Sequence, residues 1–296
     1  MLIHNQELTP SPLFATLKRL QAASTFIFDV DGTLVERQQF LDPNLCRVLA
    51  GSGKQLGIAT SRAQDELDEI FSFIEIPRSD LFQGPVILED GAVIICNGSA
   101  QTVADPKHIR AINELREHLT AHITSLDEDK IWGKLGGIEA PLVHIPTRYN
   151  YQASMSVWQL PSGNHDDVHL FARIMSWCQN AVAELQLQSM VELVEIGDGT
   201  LRASVLGRSK GVALRELYEQ NVLDLETTVF FGDGRNDVAA ARIVKGGGGW
   251  VVAVDDKCEE LVDEANFVTS SATPQIDRCL RGPKAIEWLL TLITEP

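Results

Sequence analysis

Short apolar runs that stop at acidic-glycine turns recur near both ends of the chain. Residues 25–30 (TFIFDV) are rich in β-formers and run into Asp31-Gly32, the pattern of a strand buried on both faces. Residues 55–60 (QLGIAT) form a second such run. Ser61, with Gln64 three positions on, matches a capping box and predicts a helix through residue 73. Residues 227–231 are a third run, ending at Gly232-Asp233; 250–254 are a fourth and 266–269 a weaker fifth. Helical periodicity alternates with these runs. The fold class this predicts is α/β, a doubly wound parallel sheet with helices on both faces.

The middle of the chain changes rhythm. Ile109, Ile112, Leu115 and Leu119 mark one helix face, and Val168, Phe171, Met175, Cys178 and Val182 another. Strand-like pieces lie at 154–160 and 190–196, followed by Asp198-Gly199, a two-residue hairpin signal. Residues 136–150 read as loop and edge structure. Together they predict a separate α+β unit inserted at about 101–203, within a core made of 1–100 and 204–296.

Composition narrows the function. A net charge of −16 argues against a nucleic-acid partner, because a phosphate backbone needs a basic footprint. A small anion can still bind where a metal, a lysine or helix N-termini concentrate positive potential. No long charge-free apolar run predicts a membrane span, and residues 1–10 lack a basic segment leading into an apolar one, so the expected location is cytoplasmic. Five scattered cysteines without a C-x-x-C pair read as reduced thiols, not as a zinc site. Oligomeric state leaves no readable trace.

The chemistry concentrates at two strand ends. In Phe28-Asp29-Val30-Asp31-Gly32-Thr33, two carboxylates sit where a strand gives way to a tight turn. Ligands of open α/β sheets bind outside such ends, and closely spaced buried acids call for a cation. Gly32 lets the backbone turn and approach a phosphate. The plain structural alternative is an Asp-Gly turn and nothing more. Gly232-Asp233-Gly234-Arg235-Asn236-Asp237 is the second cluster. Asp233 and Asp237 can complete an all-oxygen magnesium site with Asp29, while Asn236 or Asp237 can equally serve as a helix cap.

DVDGTL, IATSR, the lysine of RSKGVAL and GDGRND, in that order, resemble the four motifs of the haloacid dehalogenase-like superfamily. The large insertion between the second and third motifs is similar to a type-two cap. Lys210-Gly211 with Ala213-Leu214 resembles the Cof-type, sugar-phosphatase-like branch. Leu88-Glu89-Asp90-Gly91-Ala92 resembles that branch's Asn-Gly-Ala segment, with Asp90 in place of Asn. The resemblance implies a Rossmann-like core and an aspartyl-phosphate mechanism. Asp29 would be the nucleophile and Asp31 the general acid and base. Thr60 and Lys210 would contact the phosphoryl group, with Gly32, Ser61 and Asn236 on the phosphate side. Asp29, the Asp31 carbonyl, Asp233 and Asp237 would hold Mg²⁺. The 252–256 segment departs from the branch's Met-Gly-Asn-Ala pattern, so no contact is carried over from it.

The function expected is hydrolysis of a small phosphorylated metabolite, a sugar or polyol phosphate. Alternatives are a sugar phosphomutase and a non-catalytic metabolite-binding regulator on the same fold. Other polar groups have simpler readings. Asn164, His165, Asp166, Asp167 and His169 fit the start of a helix better than a metal cluster. Arg62 reads as a surface ion pair. Arg148, Tyr149, Tyr151, Arg202 and Arg208 could read substrate but are more simply solvated surface, and Trp158 and Trp177 read as cap core.

Overall fold

The computed structural model describes residues 12–36, 40–74, 76–121, 123–124, 132–135, 138–141, 152–159, 168–195, 200–269 and 280–294. The chain begins with α1 (Pro12–Ala22), β1 (Thr25–Phe28), α2 (Pro43–Gly51), β2 (Gln55–Ala59), α3 (Gln64–Ile70) and α4 (Arg78–Leu81). It continues through β3 (Val86–Leu88), β4 (Val93–Cys96) and β5 (Ser99–Thr102). Next come α5 (Pro106–Ala121), β6 (Ile123–Thr124), β7 (Trp132–Leu135), β8 (Ile138–Pro141), β9 (Ser154–Gln159), α6 (Val168–Glu184), β10 (Val191–Glu195) and β11 (Thr200–Val205). The last part holds α7 (Lys210–Glu219), β12 (Thr228–Gly232), α8 (Val238–Gly246), β13 (Trp250–Ala253), α9 (Glu259–Glu264), β14 (Phe267–Val268) and α10 (Gly282–Thr294).

Eight strands form one sheet in the order β14-β13-β12-β1-β2-β3-β4-β5. It is parallel from β14 to β3, and β4 and β5 add antiparallel strands at one edge. The predicted α/β class holds. Alternation along each strand sorts side chains to two faces. Phe26, Phe28, Ile58, Phe231 and Val252 pack with α2 and α10 on one face. Ile27, Ala59, Phe230, Val251 and Ala253 pack with α7 and α8 on the other. Both faces are dry, which is why these strands read as continuous apolar runs. Phe28 and Phe231 stack at 4.6 Å between ring centroids, fixing β1 beside β12.

The chain leaves this sheet after Thr102 and builds two three-stranded antiparallel sheets, β10-β11-β9 and β6-β7-β8. A separate apolar cluster joins α5 and α6 to β9, β10 and β11. The buried stripe of α6 is Leu170, Ile174, Cys178, Ala181 and Val182, with the predicted Phe171 and Met175 only half-buried beside it. Asp198-Gly199 lies outside the described residues, as does most of 136–150.

The capping box at Ser61 does not form. The residue capping α3 is Ala63, without a side-chain bond, and the helix ends at Ile70. Ser61 is instead buried behind the end of β2. The glycine run 246–249 carries α8 into β13. Gly248 has φ +86°, and a side chain on Gly249 would strike the carbonyls of Leu225 and Thr228. Cys46, Cys96, Cys178 and Cys258 are free thiols, while Cys279 lies outside the described residues. Among the described residues no helix is long and apolar enough to cross a membrane.

Candidate active site

Strand order creates the site. β1 has β12 on one side and β2 on the other, so connections leave in opposite directions at its carboxyl end and open a crevice there. Phe28 stands level with Phe231, and the amide of Asp29 continues the ladder by donating to the Phe231 carbonyl at 2.9 Å. Asp29 and Asp233 therefore emerge side by side. Thr60 follows β2 on the other flank, fully buried, its Oγ1 accepting the Arg62 amide at 3.2 Å.

The turn after β1 is closed by the amides of Thr33, Leu34 and Val35, which all donate to the Val30 carbonyl. Gly32 has φ +78°, and a side chain there would overlap the Asp233 carboxylate. Thr33 Oγ1 donates to Asp233 Oδ1 at 3.3 Å. We expect Gly32→Ala to cost about 1–3 kcal/mol through the left-handed backbone and the displaced carboxylate. Thermal unfolding would check this; an unchanged Tm would mean the turn adapts freely.

Lys210 is the first residue of α7, placed there by the Ser209 hydroxyl, which accepts the Val212 amide at 3.2 Å. Its side chain is fully buried and bridges Asp29 Oδ1 at 2.5 Å and Asp237 Oδ1 at 2.7 Å. Burial alone would lower its pKa, but the two carboxylates outweigh burial and raise it. Asp237 lies in the 3₁₀ turn Arg235–Asp237. Its Oδ2 accepts the amides of Asp233 and Gly234, each at 3.1 Å. It thus anchors the turn and pairs the lysine at once. Asn236 sits on the same turn, half-exposed, and no side-chain cap bond starts α8.

One lysine faces three acids. Burial and then Asp237 push the Asp29 carboxyl well above its usual range, against the pull of Lys210. Asp233 is pushed up to about 7 by burial first and Asp237 second. Oxygens of Asp29, Asp233 and Asp237 lie within 4.8 Å of one another. An all-oxygen, electron-rich set of this kind fits a hard divalent cation and not zinc. Asp31 differs. Burial would raise its pKa, but Arg62 reverses that and lowers it. Arg62 Nε donates to Asp31 Oδ2 at 2.7 Å and Nη2 to Oδ1 at 2.6 Å, a two-pronged pair, while Nη1 reaches Glu66 at 2.6 Å.

The structure thus gathers Asp29, Asp31, Gly32, Thr60, Ser61, Lys210, Asp233, Asn236 and Asp237 at adjoining ends of β1, β2, β12 and α7. It corrects Arg202 and Arg208 as solvated surface, and it keeps the expected pairing of Arg62 but takes that residue largely out of the surface. Arg62 is only 15% exposed and grips Asp31; Glu66, four residues on, was its readable signal. Arg202 is 4% exposed, in the central strand of the β10-β11-β9 sheet. Arg208 forks onto Glu216 and donates to the Gly91 carbonyl. A long charged side chain is buried when its partner comes from elsewhere in the chain, and sequence position hides that. Residues 148, 149, 151 and 164–167 and the Trp158 side chain lie outside the described residues. His169 is exposed near the start of α6, and Trp177 packs half-buried on the second core.

Comparison with known proteins agrees with this geometry. No curated protein matches the chain. Solved structures align over nearly the whole length at low identity. The C-terminal domain of Candida albicans trehalose-6-phosphate phosphatase is 15% identical with a TM-score of 0.60, covering 95% of this chain and 96% of that one. A Thermoplasma acidophilum protein is 14% identical with a TM-score of 0.57, covering 92% and 98%. A subclass IIB sugar phosphatase is 18% identical with a TM-score of 0.51, covering 83% and 93%. These likenesses establish the fold. The model of the haloacid dehalogenase-like hydrolase family matches residues 26–275, from β1 past β14 and through every motif residue above, and the chain belongs to that family.

Proposed function

We propose that the protein is a magnesium-dependent phosphatase acting on a small phosphomonoester, a sugar or polyol phosphate, through an aspartyl-phosphate on Asp29. The observation that carries the reading is Lys210, fully buried between Asp29 and Asp237 at the crevice of the sheet. It fixes the orientation of the Asp29 carboxyl, pulls against the burial that raises its pKa, and leaves its second oxygen for attack.

In the first step an Asp29 oxygen bonds to phosphorus, the ester P–O bond breaks, and the departing oxygen takes a proton from Asp31. In the second, water attacks the same phosphorus, Asp31 accepts the water's proton, and the Asp29–phosphorus bond breaks. Arg62, paired with both Asp31 oxygens, favours the carboxylate that the second step needs and opposes the protonated form that the first step needs, so the first step requires this pair to loosen as substrate enters. Thr60, Ser61, Lys210, Asn236 and the turn at Gly32 surround the phosphoryl oxygens. Asp29, Asp233, Asp237 and the Asp31 carbonyl would hold the magnesium ion. When bound, it neutralises phosphoryl oxygens and offsets the surplus of carboxylates.

The segment between Thr102 and Val205, with its own sheets and core, would act as the cap that admits small substrates. A net charge of −16 disfavours polyanionic macromolecules. The neighbours described as sugar and trehalose-6-phosphate phosphatases support a sugar phosphate. The test is phosphate release from hexose, polyol and glycerate phosphates, a phosphopeptide and a 5′-phosphorylated oligonucleotide. We expect kcat/KM for the best small ester to exceed that for either macromolecule by about tenfold or more. Preference for a macromolecule would overturn the capped-site reading.

A further inference from the structure

Beyond the sites above, Glu89 is a buried acid with no part in the chemistry. Glu89 follows β3 and is 2% exposed. It opens a turn of three left-handed residues, Glu89 (φ 50°), Asp90 (φ 53°) and Gly91 (φ 92°). Two of them carry side chains, at a cost of about 1–2 kcal/mol each. Such backbone persists only where surrounding bonds hold it.

Those bonds run in two directions. Toward the active site, the Glu89 amide donates to the Arg62 carbonyl at 3.1 Å and the Asp90 amide to the Thr60 carbonyl at 3.2 Å. The turn therefore fixes the loop that carries Thr60 and the partner of Asp31. Toward the inserted segment, the Glu89 carboxylate accepts the Gln152 amide at 2.9 Å, the Ala153 amide at 2.7 Å and the Ser154 hydroxyl at 3.3 Å. These groups begin β9, 63 to 65 residues further along the chain. Arg116 of α5 also grips this point, donating to the Ser154 carbonyl at 3.1 Å. Arg202, on the central strand β11, adds its charge to both Glu89 and Asp31.

Both chain crossings meet the same turn. Val103 and Ala104 donate to the Ala92 carbonyl on the way out, and Arg208 donates to the Gly91 carbonyl on the way back. An apolar side chain at position 89 would fill the space, yet could not bind strand-end amides in one direction. We propose that Glu89 is a positioning residue: it ties the start of β9 to the Thr60–Arg62 loop and sets where the inserted segment stands over the phosphate site. Its kinetic consequence rests on the phosphatase reading; its structural consequence does not.

The experiment compares the full chain with Glu89→Gln and Glu89→Ala. Amide hydrogen exchange is read at 152–154 and at β1, and kcat/KM for the best sugar phosphate is divided by that for p-nitrophenyl phosphate. In Glu89→Ala we expect exchange at 152–154 to rise about tenfold or more with β1 unchanged. We expect the kinetic ratio to fall about tenfold, with aryl phosphate turnover nearly retained. Glu89→Gln, whose carbonyl still accepts one amide, should lie between; it decides the matter if the alanine variant loses β1 protection. Unchanged exchange at 152–154, or faster exchange with an unchanged ratio, overturns the proposal. If the wild-type chain hydrolyses neither ester, the phosphatase reading fails, and exchange at 152–154 alone upholds or refutes the tether.

Discussion

Asp29→Asn is expected to remove phosphate release, by on the order of 10⁴-fold or more, while leaving the fold at least as stable as before. Asparagine keeps the size of the side chain and an oxygen that can accept from Lys210. Its amide is a far weaker nucleophile than a carboxylate. The stability half follows from the charge. Burial, then Asp237, raise the Asp29 pKa in the folded state above its ordinary 3.8. An acid whose pKa is raised on folding contributes stability that is full below its unfolded pKa and is lost as pH rises through its folded pKa. A charge on Asp29 is therefore disfavoured in the folded chain by burial and by Asp237, and removing it relieves that repulsion. Lys210 keeps Asp237 at 2.7 Å, so it is not left buried without a counter-charge. Steady-state phosphate release and a thermal melt on one preparation test both halves. A kcat within tenfold of wild type would assign the nucleophile elsewhere. Lost activity with a Tm several degrees lower would mean the variant is merely misfolded.

Chelation should abolish turnover just as fully, and magnesium or manganese should restore it. Asp29, Asp233 and Asp237 bring three acids against one buried lysine, and their oxygens are already within reach of one ion. The pH dependence carries a sign. Asp233 is raised to about 7, so its stabilising protonated form is present at acid pH and lost as pH climbs through about 7. The chelated protein should therefore melt lower at pH 8 than at pH 6. A cation at a hundred times its Kd adds about 2.7 kcal/mol, several degrees in a chain of this size. The gain from magnesium should be larger at pH 8, where no proton competes for Asp233. Asp233→Ala should raise the magnesium requirement sharply or end turnover. Full activity after exhaustive chelation, or no magnesium-dependent rise in Tm at pH 8, would contradict the site.

Much of this was legible in the chain because it is local. Strands buried on both faces must be apolar throughout, so β1, β2, β12 and β13 announce themselves within a residue or two of their ends. A turn that forbids a side chain needs glycine, so Gly32 marks the end of β1. The ordered motifs single out Asp29, Thr60, Lys210, Asp233 and Asp237 through their resemblance to those of one family, to which the chain belongs. The helix start at α3 misled, because Ser61 and Gln64 have the right spacing but the chain after β2 turns inward and buries the serine.

What the tertiary structure decided is every relation between residues distant in sequence. Nothing in the order of the strands along the chain says that β1 lies between β2 and β12, yet that neighbourhood alone sets Asp29 beside Asp233. A buried charge is bearable only with its partner, and the partners here come from 181 residues away for Lys210 and Asp29, and 31 for Arg62 and Asp31. Read singly, Arg62, Arg202 and Arg208 are ordinary surface cations, and Glu89 is an ordinary turn acid. Burial makes them structural, and burial is a property of the folded chain, because desolvation is imposed by whatever packs over a residue and not by its neighbours in sequence.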